Sequence, residues 1–183
     1  ARRENPKLAT RMADYISRWQ LAEESADLLT ADEDLATAFE AAVAAFDKPL
    51  IVAKWFVNVL LGELKDKSMS ETAAHGEELG HLVRSVNDGD ISSSAGKRVM
   101  AELLDHGGKA EEHIDKLGLR QVSDTAALGV TLDEILAQNP DKVAAYRSGR
   151  TALFGFFVGQ AMKATGGRAN PQVIQQILKE KLA

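Results

Sequence analysis

The chain has 183 residues with 27 acidic and 22 basic side chains, a net charge of −5, 45% hydrophobic residues and no cysteine. That apolar content can bury a core in one large or two small domains, and the absence of cysteine excludes a disulfide framework or a thiolate site and suits a reducing, cytoplasmic setting. The longest strongly apolar run, residues 152–162, is about half the ~20 residues a membrane-spanning helix needs, so no membrane partner is expected.

Apolar positions recur at spacings of three and four almost throughout, without the alternation a strand needs, so the expected fold is all-α. Ala1-Arg2-Arg3-Glu4 carries no signal-like leader and reads like the interior of a chain, so a piece of a longer protein is expected. Helices are predicted near 6–18, 23–29, 31–46, 49–66, 71–87, 92–105, 110–117, 124–138, 140–148, 150–165 and 171–182. Asn5-Pro6, Asn139-Pro140 and Asn170-Pro171 each place a capping side chain before a proline at the first helical position. Thr30…Glu33, Ser68…Glu71 and Thr131…Glu134 have the spacing of capping boxes.

The paired glycines of His106-Gly107-Gly108-Lys109 predict a left-handed helix end and a flexible joint. They divide an expected helical subdomain, 1–108, with 12 basic and 19 acidic residues, from a tail subdomain, 109–183, with 10 and 8. Charge is more uneven still at the end of the chain. Residues 140–183 contain Lys142, Arg147, Arg150, Lys163, Arg168, Lys179 and Lys181 against Asp141 and Glu180, which is net +5 (7 − 2). A basic end on an acidic helical body points to docking onto polyanions. The acidic subdomain suits a spacer or lever that positions it.

Catalytic constellations are scarce. His75, His81, His106 and His113 are never four apart and lack any metal-site context, so solvated or capping roles are expected, with no metal and no cofactor. Asp32-Glu33-Asp34 sits where negative charge favours a helix start. Ser92-Ser93-Ser94 before Ala95-Gly96-Lys97 lacks phosphate-loop spacing and suits a serine cap. No nucleophile–base pair supports a hydrolase. Gly155 and Gly159, four apart in a helix, predict close helix packing around a buried Phe154, Phe156 and Phe157. The Gly166-Gly167-Arg168-Ala169-Asn170 turn allows two readings. With Lys163 and Arg168 beside a helix N-terminus it could hold a phosphate, or it is an ordinary helix–turn–helix joint.

The run from Tyr146 through Gly155-Phe156-Phe157-Val158-Gly159-Gln160-Ala161-Met162-Lys163 to Ala169-Asn170-Pro171 resembles the GatB/YqeY family. Further matches are Asp88-Gly89-Asp90-Ile91-Ser92, Gly118-Leu119-Arg120-Gln121-Val122-Ser123-Asp124, Asn139-Pro140 and, upstream, Leu29-Thr30-Ala31-Asp32. Such domains end the B subunit of the bacterial tRNA-dependent amidotransferase, stand alone, or extend some glutaminyl-tRNA synthetases. Two departures favour the synthetase: Arg2-Arg3-Glu4-Asn5-Pro6-Lys7-Leu8 replaces the usual Leu-Pro-Glu-Leu-Pro segment of the amidotransferase chain, and its kinase-like cradle is missing.

The resemblance implies a module without an active site of its own that grips tRNA outside the catalytic centre. The expected function is an appended domain raising the affinity of a glutaminyl-tRNA synthetase, its partner in cis, for tRNA(Gln), with the C-terminal region of the amidotransferase's B subunit as the alternative. Expected contacts are Lys163, Arg168, Asn170, Lys142, Arg147, Arg150 and Lys179, made to phosphates and shape, with Tyr146 the one aromatic suited to stacking. A protein–protein adaptor remains a rival of another class. Trp19, Trp55 and Phe56 are its conceivable anchors, although core packing suits Trp55-Phe56 better.

Overall fold

A computed structural model describes residues 5–65, 67–122 and 124–183. Arg2, Arg3 and Glu4 of the opening segment, Asp66 at an expected helix end and Ser123 of the Gly118–Asp124 match lie outside the described residues. The described chain is all-helical, with α1 (Pro6–Trp19), α2 (Glu23–Leu29), α3 (Glu33–Ala45) and α4 (Pro49–Trp55), which runs through a π turn (Phe56–Leu60) into α5 (Leu61–Leu64). Then follow α6 (Gly76–Asn87), α7 (Ser93–His106), α8 (Ala110–Lys116), α9 (Thr125–Ala137), α10 (Pro140–Arg147), α11 (Leu153–Ala164) and α12 (Pro171–Leu182). No helix among the described residues is long and apolar enough to cross a membrane.

Some helix ends follow the predicted caps and others do not. Asn5 accepts the Lys7 amide at 3.1 Å and Asn170 the Gln172 amide at 2.9 Å, each ahead of its proline. Asn139 turns backwards instead, donating to the Ile135 carbonyl at 2.8 Å, and caps nothing. Thr30 closes α2 through the Ala26 carbonyl, and Asp32 caps α3 by accepting the Leu35 amide at 2.8 Å, with Glu33 and Asp34 in its first turn. Thr131 lies inside α9, its hydroxyl on the Ala127 carbonyl; Asp124 caps that helix. The Ser68–Glu71 box exists, but it closes a 3-10 turn (Met69–Glu71). Extended backbone at Thr72 then delays α6 to Gly76.

The chain forms two compact units: the segment up to Asp88 with Ser93–Gly118, and Gly89–Ser92 with Leu119–Ala183. The Gly107–Gly108 turn lies inside the first. Both glycines adopt positive φ, as a left-handed helix end requires, but the turn is packed and braced. A Cβ on Gly107 would come within 2.7 Å of the Ala73 carbonyl, and the His113 ring bonds the Gly107 carbonyl at 2.7 Å. Beyond the turn, α8 buries Ala110 and Ile114 completely, and the Ala110 amide donates to Glu78 of α6 at 2.8 Å. These contacts tie α8 to the helices before it, and the division between units falls after Gly118.

In the first unit α6 lies directly on the backbone of α3. Cβ atoms added at Gly76 and Gly80 would strike the backbones of Ala38 and Ala42. The helices therefore approach as closely as small residues four apart allow. Leu35, Phe39 and Val43 of α3, Leu8 and Tyr15 of α1, and Leu79, Leu82 and Val83 of α6 are all buried in this unit. Aromatic rings run through this core from Trp19 to Tyr15, Phe39 and Phe56, with successive centroids 5.0, 5.2 and 5.5 Å apart.

Tyr15 donates its hydroxyl to Glu40 at 2.9 Å. Burial, then this carboxylate, push the phenol well above its ordinary value. At the surface, the Ser68 amide and hydroxyl hold Glu71 below the usual carboxylate range.

Two outcomes are expected. Gly80→Ala should destabilise the first unit by about 1–3 kcal/mol because backbone must move to admit the methyl group, read as a lower urea midpoint in tryptophan fluorescence. A raised native phenol means the folded state keeps a proton that the unfolded state loses, so stability should fall above about pH 10, where free tyrosine titrates. Urea titrations between pH 9 and 11 should show a shallower fall in Tyr15→Phe.

Candidate nucleic-acid interface

Three of the four helices of the second unit, α9, α11 and α12, supply its buried core. Leu128, Leu132 and Ile135 of α9, Phe157 and Ala161 of α11, and Ile174, Leu178 and Leu182 of α12 recur at helical spacing and close one core. Each stripe faces inward because its residues stand three or four apart. This packing makes α11 and α12 a hairpin, with the basic residues at its two ends.

At the first end, the turn is closed by its own backbone. Gly166 and Gly167 take positive φ, the Gly166 amide donates to the Lys163 carbonyl at 3.1 Å and the Gly167 amide to that of Met162 at 2.7 Å. This is the paired bond pattern of a Schellman helix end. The loop is then pinned by a parallel bridge between Val122 and Ala169, in which the Val122 amide donates to the Arg168 carbonyl at 2.7 Å. The Asn170 amide returns the bond to Val122 at 3.2 Å. Asn170 is 6% exposed. Its side-chain oxygen caps α12, and its nitrogen donates to the Gly89 carbonyl at 3.1 Å.

These bonds correct the phosphate-turn expectation. The amides of Gly166, Gly167, Arg168, Asn170 and Gln172 all donate within the unit, so the turn offers no open cradle of N–H groups. Asn170 serves the fold, and its bond to Gly89 joins the Gly89–Ser92 segment to the distant turn. Lys163 and Arg168 remain at this end, exposed and without a side-chain partner among the described residues.

The other end repeats the device. The Gly149 amide donates to the Tyr146 carbonyl at 2.9 Å and the Arg150 amide to that of Ala145 at 3.0 Å, with Gly149 at φ +107°. Arg147 donates to the Lys181 carbonyl at 3.2 Å, favourably placed for a cation at a helix C-terminus. Lys181 in turn pairs with Asp133 at 2.6 Å. Arg150 and Lys179 stay exposed and unpaired among the described residues. Lys142 is engaged elsewhere, 4.8 Å over the Phe156 ring and 3.3 Å from the Asn139 side-chain oxygen.

The structure therefore does not bring the seven predicted contacts together. Four free cations form two pairs, Lys163 with Arg168 and Arg150 with Lys179, at opposite ends of the hairpin. At ~1.5 Å per residue, the length of α11 separates these ends by about 18 Å.

Between the pairs, α11 is more open than its composition predicts. Phe157 is fully buried, whereas Phe154 and Phe156 are half-buried, and Tyr146 is half-buried with its ring 6.1 Å from Phe154. Gly155 and Gly159 are exposed, with no heavy atom within 4 Å of an added Cβ. The close helix packing expected here occurs instead at Gly76 and Gly80.

Elsewhere the predicted sites resolve into structure. His81 lies 3.5 Å from Glu78, His106 is 3.9 Å from Glu102, and His75 precedes α6 without a capping bond. Among the described residues no three His, Asp or Glu side chains converge on a metal position. Ser93 opens α7, where Gly96 packs under Val86 and Trp55, so no phosphate loop forms. Phe56 is fully buried, while Trp19 and Trp55 are half-buried.

A protein-family model, the GatB domain, matches residues 37–182. The B subunit of the aspartyl/glutamyl-tRNA(Asn/Gln) amidotransferase of Rickettsia bellii is 39% identical over 180 residues, covering 97% of this chain and 37% of that protein. Its counterpart in Picosynechococcus is 41% identical over 171 residues (92% and 34%), and that of Persephonella marina 38% over 185 (99% and 39%). The chain thus spans between a third and two fifths of these relatives' length. Their identity overturns the expected synthetase extension. The match to amidotransferase chains runs through nearly the whole sequence, so the altered opening segment does not discriminate.

The open α11 glycines give a direct expectation. Gly155→Ala and Gly159→Ala should each stabilise the second unit by about 0.5–1 kcal/mol, since alanine favours the helix and meets no neighbour. Thermal melts followed by far-ultraviolet circular dichroism would check it; a loss of stability would place packed atoms over that face.

Proposed function

This chain belongs to the GatB/YqeY family, and from that premise we propose that it serves as the C-terminal helical and tail region of the B component of a tRNA-dependent amidotransferase. On this reading the wider assembly acts on aspartyl- or glutamyl-tRNA, and the first unit places the second against the tRNA body. What supports it is the 92–99% coverage of this chain by relatives carrying that name.

The tail unit contributes binding, and its free cations define how. Arg150 with Lys179 and Lys163 with Arg168 act as two pairs of phosphate contacts, the pairs about 18 Å apart on a rigid hairpin. Two separated pairs on a fixed frame select a backbone by its shape, in keeping with how structured RNA is held. Base stacking contributes little, because Tyr146 and Phe154 lie against each other.

The expected outcome is a steep fall of tRNA affinity with salt. Lys163→Ala with Arg168→Ala, and Arg150→Ala with Lys179→Ala, should each reduce the log–log salt slope by about two, one per lost phosphate contact. The combined variant should lose the sum of both while keeping its helical spectrum. A binding curve flat in salt would instead favour a protein-docking role.

A further inference from the structure

The first unit holds an open groove lined by carboxylates and aromatic side chains. Between α1 and α3 lies an open cavity of about 620 Å³. Tyr15, Trp19 and Val43 give it an aromatic and aliphatic floor, while Asp14, Glu40 and Asp47 supply carboxylates against the single guanidinium of Arg18. Glu40 is occupied by Tyr15 and by Arg11 at 3.2 Å. Asp14 and Asp47 are exposed and make no ion pair among the described residues.

The Trp19 indole is a fixed platform. It stacks on Tyr15 at 5.0 Å with a 28° interplanar angle and meets Phe39 edge-on at 5.6 Å. Arg18 stands 5.7 Å over its ring, so the indole already accepts a guanidinium. A flat cation with an apolar stem satisfies both parts of this cavity: the stem lies along Trp19 and Val43, and the charged fork reaches the free carboxylates.

We propose that this groove docks an arginine side chain presented by an apolar segment of a partner protein. Charge complementarity selects the cation, and the floor selects a carrier with aliphatic neighbours. Arginine is preferred to lysine because its planar head pairs with a carboxylate through two bonds while its stem lies along the apolar floor.

The test uses the 183-residue chain and three probes: acetyl-Leu-Arg-Leu-amide, its citrulline twin, and methylguanidinium. The Trp19 indole N–H signal in ¹H–¹⁵N spectra, distinguished from that of Trp55 by Trp55→Phe, reports occupancy. The arginine peptide should shift it saturably, and Asp14→Asn and Asp47→Asn should each weaken binding about threefold, and together about tenfold, with unchanged spectra elsewhere. Equal binding of the citrulline peptide would overturn the charge recognition. Equal binding of methylguanidinium would reduce the groove to a small-cation site, and no Trp19 shift at the solubility limit would end the proposal.

Discussion

The first unit depends on how closely α3 and α6 approach. Gly76 and Gly80 present bare backbone to Ala38 and Ala42, and that proximity lets one layer of side chains serve both helices. Phe39, at the middle of α3, is fully buried and joins the aromatic series reaching Trp19 and Phe56. The arrangement is demanding, since any side chain at Gly80 would push the helices apart and open that layer. It also leaves α1 to pack across the far face of α3, where the acidic groove forms.

The second unit solves a different problem: holding a short helical hairpin in register with modest apolar area. Two Schellman ends, at Gly149 and at Gly166 with Gly167, stop α10 and α11 without exposing their last carbonyls. The Val122–Ala169 bridge and the Asn170–Gly89 bond then tie the turn to segments far away in the chain. Backbone and amide hydrogen bonds thus fix the turn, and the charged side chains around it are released from structural duty. Arg147 and Lys181 are the exceptions, stitching the end of α12 to α10 and α9.

Much of this was legible in the sequence. Asn-Pro pairs marked α1 and α12, and the three- and four-residue periodicity gave nearly every helix. Asn139 escaped because its side chain found the Ile135 carbonyl one turn back, a competition that spacing does not reveal. The Gly107–Gly108 pair looked like a joint because glycine signals positive φ. Whether such a turn is open or packed depends on Ala73 and His113, which only the fold brings there. The two glycine pairs four apart were indistinguishable by spacing, and tertiary contact alone made one a helix crossing and the other an open face. Cation positions were legible as a basic tail but not as two pairs, because the hairpin that separates them is a product of packing.

One consequence concerns chemical ageing. Asparagine deamidates when the following backbone nitrogen, stripped of its proton, attacks the side-chain amide to form a succinimide. Asn5, Asn139 and Asn170 are each followed by proline, whose nitrogen has no hydrogen to lose and is already fully substituted. The amide that joins the tail turn to Gly89 is therefore shielded from this route of spontaneous hydrolysis. The proline that begins α12 thus also guards the neutrality of the side chain that caps it.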